Sequence, residues 1–129
     1  MKKIIVTCFL LCCSLVNFAQ EKKCSDFKNG TFQLNDTENN ISYLIERNGK
    51  KQVEYKIGEN IKVEFDVTWL SDCTYTLKPT KESAEFLKSD FELIVEIIEI
   101  KDNSMVLKMY PDGSPEYAIT DEVEIIRSL

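Results

Sequence analysis

The sequence contains no histidine. That removes the commonest general base and the commonest transition-metal ligand together, and with them any Ser-His nucleophile. An excess of basic residues is missing too: 16 lysines and arginines stand against 22 acidic residues in a chain of 129. Setting aside Lys2 and Lys3, which fall in the leader described below, leaves 14 against 22, a net charge near −8. Sequence-independent binding to nucleic acid or anionic lipid needs a basic face, so neither partner is expected. No Cys-x-x-Cys pair occurs, which argues against a dithiol redox site, and two thiols without histidine make a poor zinc site. Asp112-Gly113 lacks the run of oxygen ligands that a calcium loop carries. Neither a metal nor a cofactor is expected.

Five cysteines are present, but three of them sit in a leader. Residues 1–20 open with Lys2-Lys3, continue through an apolar stretch from Ile4 to Val16, and end at Asn17-Phe18-Ala19-Gln20, with Ala19 as the small residue for cleavage. This is the pattern of a secretory signal peptide of bacterial form. A membrane-spanning helix would need ~20 apolar residues, which this stretch lacks, so stable membrane insertion is not expected. A lipoprotein signal needs a cysteine after a small residue, whereas Cys12 and Cys13 follow Leu11 and Cys12. Cleavage removes Cys8, Cys12 and Cys13 and leaves Cys24 and Cys73 in an oxidising compartment, periplasmic or extracellular. Their pairing as a structural disulfide is the expectation.

Residues 21–129 suit a single domain. Period-two alternation runs through most of it. In Ile61-Lys62-Val63-Glu64-Phe65-Asp66-Val67-Thr68-Trp69 every odd residue is apolar and every even one polar or charged, the mark of a strand with one buried face. Ser71-Asp72 interrupts, and Cys73, Tyr75 and Leu77 resume the odd-numbered face up to Pro79. Ile41 to Arg47 and Gln52 to Ile57 flank Asn48-Gly49, which predicts a type I′ hairpin turn. Phe91, Leu93, Val95 and Ile97 share a phase that Ile98 and Ile100 break, so a bulge is predicted at Ile97-Ile98. Met105, Leu107 and Met109 mark one more strand. Tyr117, Ile119, Val123 and Ile125 mark the last, with a bend at Asp121. Within Thr80–Asp90 the segment Lys81–Lys88 suits two helical turns, with Phe86 or Leu87 tucked inward.

The fold class is therefore all-β: about eight short antiparallel strands and one short helix. Such strands close into a small up-and-down barrel, which removes exposed edges; an open sandwich is the alternative. Interior, ligand-facing candidates are Phe32, Tyr43, Phe65, Trp69 and Tyr75, with Tyr55 able to join them. The Trp69 indole N–H needs an acceptor wherever it is buried. Glu64, Asp66, Glu92, Glu96, Glu122 and Glu124 fall on the outer faces, where they are solvated. Asn29, Asn35 and Asn40 fit the glycosylation acceptor pattern, which matters in a eukaryotic host alone.

Two segments, Cys24-Ser25-Asp26-Phe27-Lys28-Asn29-Gly30-Thr31-Phe32 and Trp69-Leu70-Ser71-Asp72-Cys73-Thr74-Tyr75-Thr76-Leu77, resemble a group of small exported β-rich proteins of the Bacteroidota. Some of these carry the name DNA topoisomerase IV, which a short, acidic, exported chain without an ATPase motif does not support. Gly30-Thr31-Phe32 and Arg127 also resemble, more distantly, the Gly-x-Trp and last-strand arginine of lipocalin-like barrels, with Phe32 in place of the tryptophan. That resemblance implies an up-and-down barrel with an arginine packed over the first-strand aromatic.

The functional expectation is a non-enzymatic exported binding protein with no catalytic residues, carrying a small apolar ligand in its interior. An envelope protein-protein interaction or inhibitor-like module presenting Thr80–Asp90 is the alternative. A glycan hydrolase built on converging carboxylates is the remaining one, and it requires two acidic side chains facing each other in a cleft.

Overall fold

The computed structural model describes residues 22–128; the leader expected over residues 1–20 lies outside the described residues. The strand with the sharpest alternation behaves as its pattern dictates. Over Ile61–Trp69, Phe65 and Val67 are buried while Lys62, Asp66 and Thr68 are exposed. In chain order the strands are β1 (Asn29–Asp36), β2 (Ile41–Asn48), β3 (Lys51–Lys56), β4 (Ile61–Trp69), β5 (Thr74–Pro79), β6 (Leu93–Ile100), β7 (Ser104–Pro111) and β8 (Ile119–Ser128). Each pairs antiparallel with the next, and β8 pairs with β1, which closes the sheet into a barrel and rules out the open sandwich. A helix, α1 (Lys81–Leu87), lies between β5 and β6. Among the described residues no helix is long and apolar enough to cross a membrane.

The two ends of the barrel differ. One end gathers the short connections 49–50, 70–73 and 101–103 together with a 3₁₀ turn at Cys24–Phe27. That turn plugs the barrel. Phe27 is completely buried, and its ring meets Phe32 edge-on at 6.2 Å between centroids. Cys24 is bridged to Cys73, immediately before β5, with a Cα–Cα separation of 5.0 Å. Gly49 N–H donates to Lys28 O, and the Trp69 indole N–H donates to Gly49 O at 3.2 Å, supplying the acceptor that a buried tryptophan requires. The opposite end carries the longer connection with α1 and forms the mouth.

Several local expectations change. The β2–β3 loop is Gly49-Lys50, because Asn48 already pairs with Lys51. Gly49 has φ +55°, and the positive-φ non-glycine residues described are Asn40 and Lys88, so Lys50 is not among them. A glycine in the first central position alone fits type II′ rather than the type I′ expected. The bulge does fall at Ile98, where Ile97 pairs with Leu107 and Glu99 with Val106. Asp121 is not a bend but a regular member of β8 opposite Leu107, and Tyr117 belongs to a separate 3₁₀ turn, 70% exposed. In α1 the inward residue is Ser83, whose hydroxyl accepts from Glu64 N–H, while Phe86 is 60% exposed. A seven-residue helix presents one narrow face to the sheet, and Ser83 occupies it.

Candidate ligand-binding site

Apolar side chains from every strand but β3 fill the barrel: Phe32, Ile45, Val67, Leu77, Val95, Met105, Leu107 and Val123 are all buried. In β3 the alternation is inverted. Gln52, Glu54 and Lys56 share a face with Arg47, Ile45 and Tyr43 across the β2–β3 ladder, so polar side chains point inward. Val53 and Tyr55 take the outer phase, with Tyr55 opposite Leu44 and Lys62, which places Tyr55 outside the interior it was expected to join.

This inverted strand sets up a polar network within the plugged end. Arg47 is 4% exposed, and each of its three guanidinium nitrogens has a protein acceptor. Nε donates to Gln52 Oε1 at 2.9 Å, Nη1 to Phe27 O at 2.8 Å and Nη2 to the Tyr75 hydroxyl at 2.6 Å. Its Cζ lies 4.4 Å from the Tyr75 ring centroid, 5.0 Å from Phe32 and 5.7 Å from Trp69, within cation–π range of all three. The arginine packed against the first-strand aromatic is thus Arg47 of β2; Arg127, the arginine in the distant lipocalin-like resemblance, is exposed. Gln52 then relays outward, its Nε2 donating to Glu54 Oε2 at 2.8 Å.

Glu54 marks the boundary between the filled and the hollow part of the barrel. Beyond it lies a cavity of about 470 Å³, within the ~300–1,000 Å³ of small-molecule sites. Its walls are Leu34 of β1, Tyr43 of β2, and Ile61, Val63 and Phe65 of β4. Phe91, at the entry to β6, packs against Phe65 with ring centroids 6.3 Å apart, and Phe86 and Leu87 of α1 form the rim. Lys56 is the other charged side chain lining the cavity, and its Nζ is 3.1 Å from Glu59 Oε1. Burial pushes the Glu54 carboxyl above the ordinary glutamate range, against the opposing pull of the Gln52 hydrogen bond and the Arg47 charge. The side chain is flanked by protein yet opens on the cavity, which accounts for its being half-buried rather than sealed. Burial likewise raises the Tyr75 phenol, with Arg47 opposing.

The five aromatic candidates divide between these two regions. Tyr43 and Phe65 line the cavity, whereas Phe32, Trp69 and Tyr75 pack around Arg47 in the plugged end. Arg47, Gln52 and Glu54 and the wall residues Leu34 and Phe91 are not among the site candidates that the sequence offers. A larger depression, about 590 Å³, lies on the outer wall beside Glu46, Lys51 and Arg127, where charges of both signs face solvent. Among the described residues no group of three acidic or cysteine side chains is placed to hold a metal ion.

The fold and site define a closed, eight-stranded up-and-down β-barrel, plugged at one end and hollow at the other. Comparison of the chain with protein-family models, with curated proteins and with solved structures returned no match.

Proposed function

We propose that this is an exported, non-enzymatic binding protein that takes a small apolar molecule in the mouth of its barrel. The observation that carries the reading is the cavity between Tyr43, Phe65 and Phe91, apolar on its walls and bounded by a few polar groups at one place, the usual composition of a ligand site. Export is supported by the leader pattern and by the Cys24–Cys73 bridge, a crosslink that persists in oxidising compartments. The two segments that resemble exported Bacteroidota proteins are the two joined by that bridge. A non-enzymatic role is favoured because Glu54 is the one carboxylate among the described residues lining the cavity, without the facing partner that hydrolytic chemistry needs.

Native mass spectrometry and organic extraction of the purified protein test the reading, together with displacement of a fluorescent apolar probe. Val63→Trp places an indole in the cavity and is expected to abolish probe binding while leaving the β circular dichroism unchanged. Absence of any extractable ligand, with no probe binding to the unmodified protein, overturns it.

A second reading rests on α1, where Phe86 is 60% and Leu87 37% exposed. Such a rim suits docking of an envelope protein. Phe86→Asp is expected to abolish partner recovery in that case; unchanged recovery counts against it.

A further inference from the structure

We propose that Glu54 makes the mouth cavity selective for ligands that carry a protonated amine on an apolar body. The inference rests on the binding reading above and names the chemistry of its ligand. Glu54 projects from β3 between Ile45 and Val63, and one carboxylate oxygen, Oε2, is engaged by Gln52. Among the described residues no protein donor reaches Oε1 and no buried side-chain oxygen is left unpartnered, so this oxygen is open to the cavity.

The groups facing this carboxylate favour a cation over an anion. Arg47 of β2 lies behind Gln52, with its guanidinium nitrogens committed to Gln52, Phe27 and Tyr75, so it cannot turn into the cavity to meet an anionic head. Tyr75 of β5 is held by Arg47. Lys56, two residues along β3, is tied to Glu59 at the rim. From the other elements the neighbours are Leu34, Tyr43, Val63, Phe65 and Phe91, with Phe86 and Leu87 from α1. None of these carries a charge, and four are aromatic, the surface that attracts an alkylammonium. An amine entering this site gains a charge-assisted hydrogen bond to Oε1, and partial burial among apolar walls strengthens it relative to one in open water. Its alkyl body covers the apolar walls. A carboxylate at the same depth meets Glu54 at close range, and a like charge there is unfavourable.

The carboxyl also titrates in a way that couples to the ligand. Burial raises it in the free protein, with the Gln52 hydrogen bond and the Arg47 charge opposing. A bound ammonium favours the ionised form, so binding releases a proton at any pH where the free carboxyl still holds one.

The test compares n-octylamine, octan-1-ol and octanoate by calorimetry on the disulfide-intact protein and on Glu54→Gln. The amine is expected to bind the unmodified protein at least about tenfold more tightly than the alcohol. Glu54→Gln should reduce that preference to within about threefold. Should Glu54→Gln fail to fold, proton release by the unmodified protein in buffers of different ionisation enthalpy gives the same answer: release with the amine and none with the alcohol. Equal binding of all three compounds overturns the amine assignment and leaves the apolar-ligand reading standing. Preference for octanoate overturns it in favour of Lys56 as the head-group partner. Binding of none of them removes the apolar-ligand reading and the amine assignment together.

Discussion

Arg47 donates to the Tyr75 hydroxyl over 2.6 Å inside the plugged end of the barrel, with its Cζ 4.4 Å from the same ring. The pair joins β2 to β5 across the interior, so it braces walls three strands apart rather than neighbouring strands. Through Nη1 and Phe27 O the same guanidinium also holds the N-terminal plug.

Arg47→Leu is therefore expected to cost about 3–5 kcal/mol, the range for removing one partner from a buried charged network. It strips Gln52, Phe27 O and Tyr75 of their donor and removes the guanidinium charge that opposes the effect of burial on Glu54. Tyr75→Phe removes a single hydroxyl, and its expected cost is about 1–3 kcal/mol, because Nη2 is left unpartnered. Urea unfolding checks both, and in the double variant the two costs should fall well short of adding. A loss below about 1 kcal/mol for Arg47→Leu would show that the network does not brace the barrel.

The strands were legible because their apolar residues keep one phase, as Ile61 to Trp69 does. The inward polar stripe was legible in principle. Any two-residue turn near Gly49 puts the odd residues of β2 on the same face as the even residues of β3, so Ile45 inside requires Gln52 and Glu54 inside. Val53 and Tyr55 conceal this, because an apolar phase on an isolated strand reads as the core face. The cavity was not legible. A hollow depends on how far side chains from separate strands reach, and on where the 80–92 connection lays α1 across the mouth. Sequence spacing fixes neither Phe86 at the rim nor Phe91 against Phe65.

Reduction of the Cys24–Cys73 bridge is expected to lower the melting temperature and to add about two mass units. The crosslink closes a loop with a separation of 49 residues, which in the chain-entropy model stabilises by ~4 kcal/mol. The loss should begin at the plug: hydrogen exchange of Phe27 and Lys28 accelerates before that of β6 and β7. Recovery of two free thiols from the oxidised native protein, with residues 1–20 removed, would refute the bridge.

Glu54→Gln is expected to raise stability at pH 7 and to change it little near pH 4. The folded-state carboxyl titrates above its unfolded counterpart, so the folded state holds its proton longer. As pH rises through the unfolded value and then the folded one, the unfolded state is favoured progressively, and the penalty is complete above the folded value. Glutamine keeps an acceptor for Gln52 Nε2 and carries no charge to desolvate. Thermal melts across pH 4–8 check this; a variant less stable at pH 7 than at pH 4 relative to the parent reverses the sign and contradicts a carboxyl raised by burial.

The helix at the mouth is held at both ends by identifiable residues, and changing them should move it in opposite directions. Thr80 caps the first turn by accepting from Ser83 N–H at 3.3 Å, and Thr80→Ala is expected to cost about 1 kcal/mol. Lys88 ends the helix in the left-handed region at φ +56°, its N–H bonded to Ala84 O and Glu85 O. A side chain there is strained and glycine is not, so Lys88→Gly should stabilise by about 0.5–1 kcal/mol. Because Phe86 and Leu87 ride on this helix at the rim, hydrogen exchange of residues 84–89 should accelerate in Thr80→Ala and slow in Lys88→Gly, with β2 and β3 unaffected in both. If Lys88→Gly speeds exchange instead, the left-handed cap is not what terminates the helix.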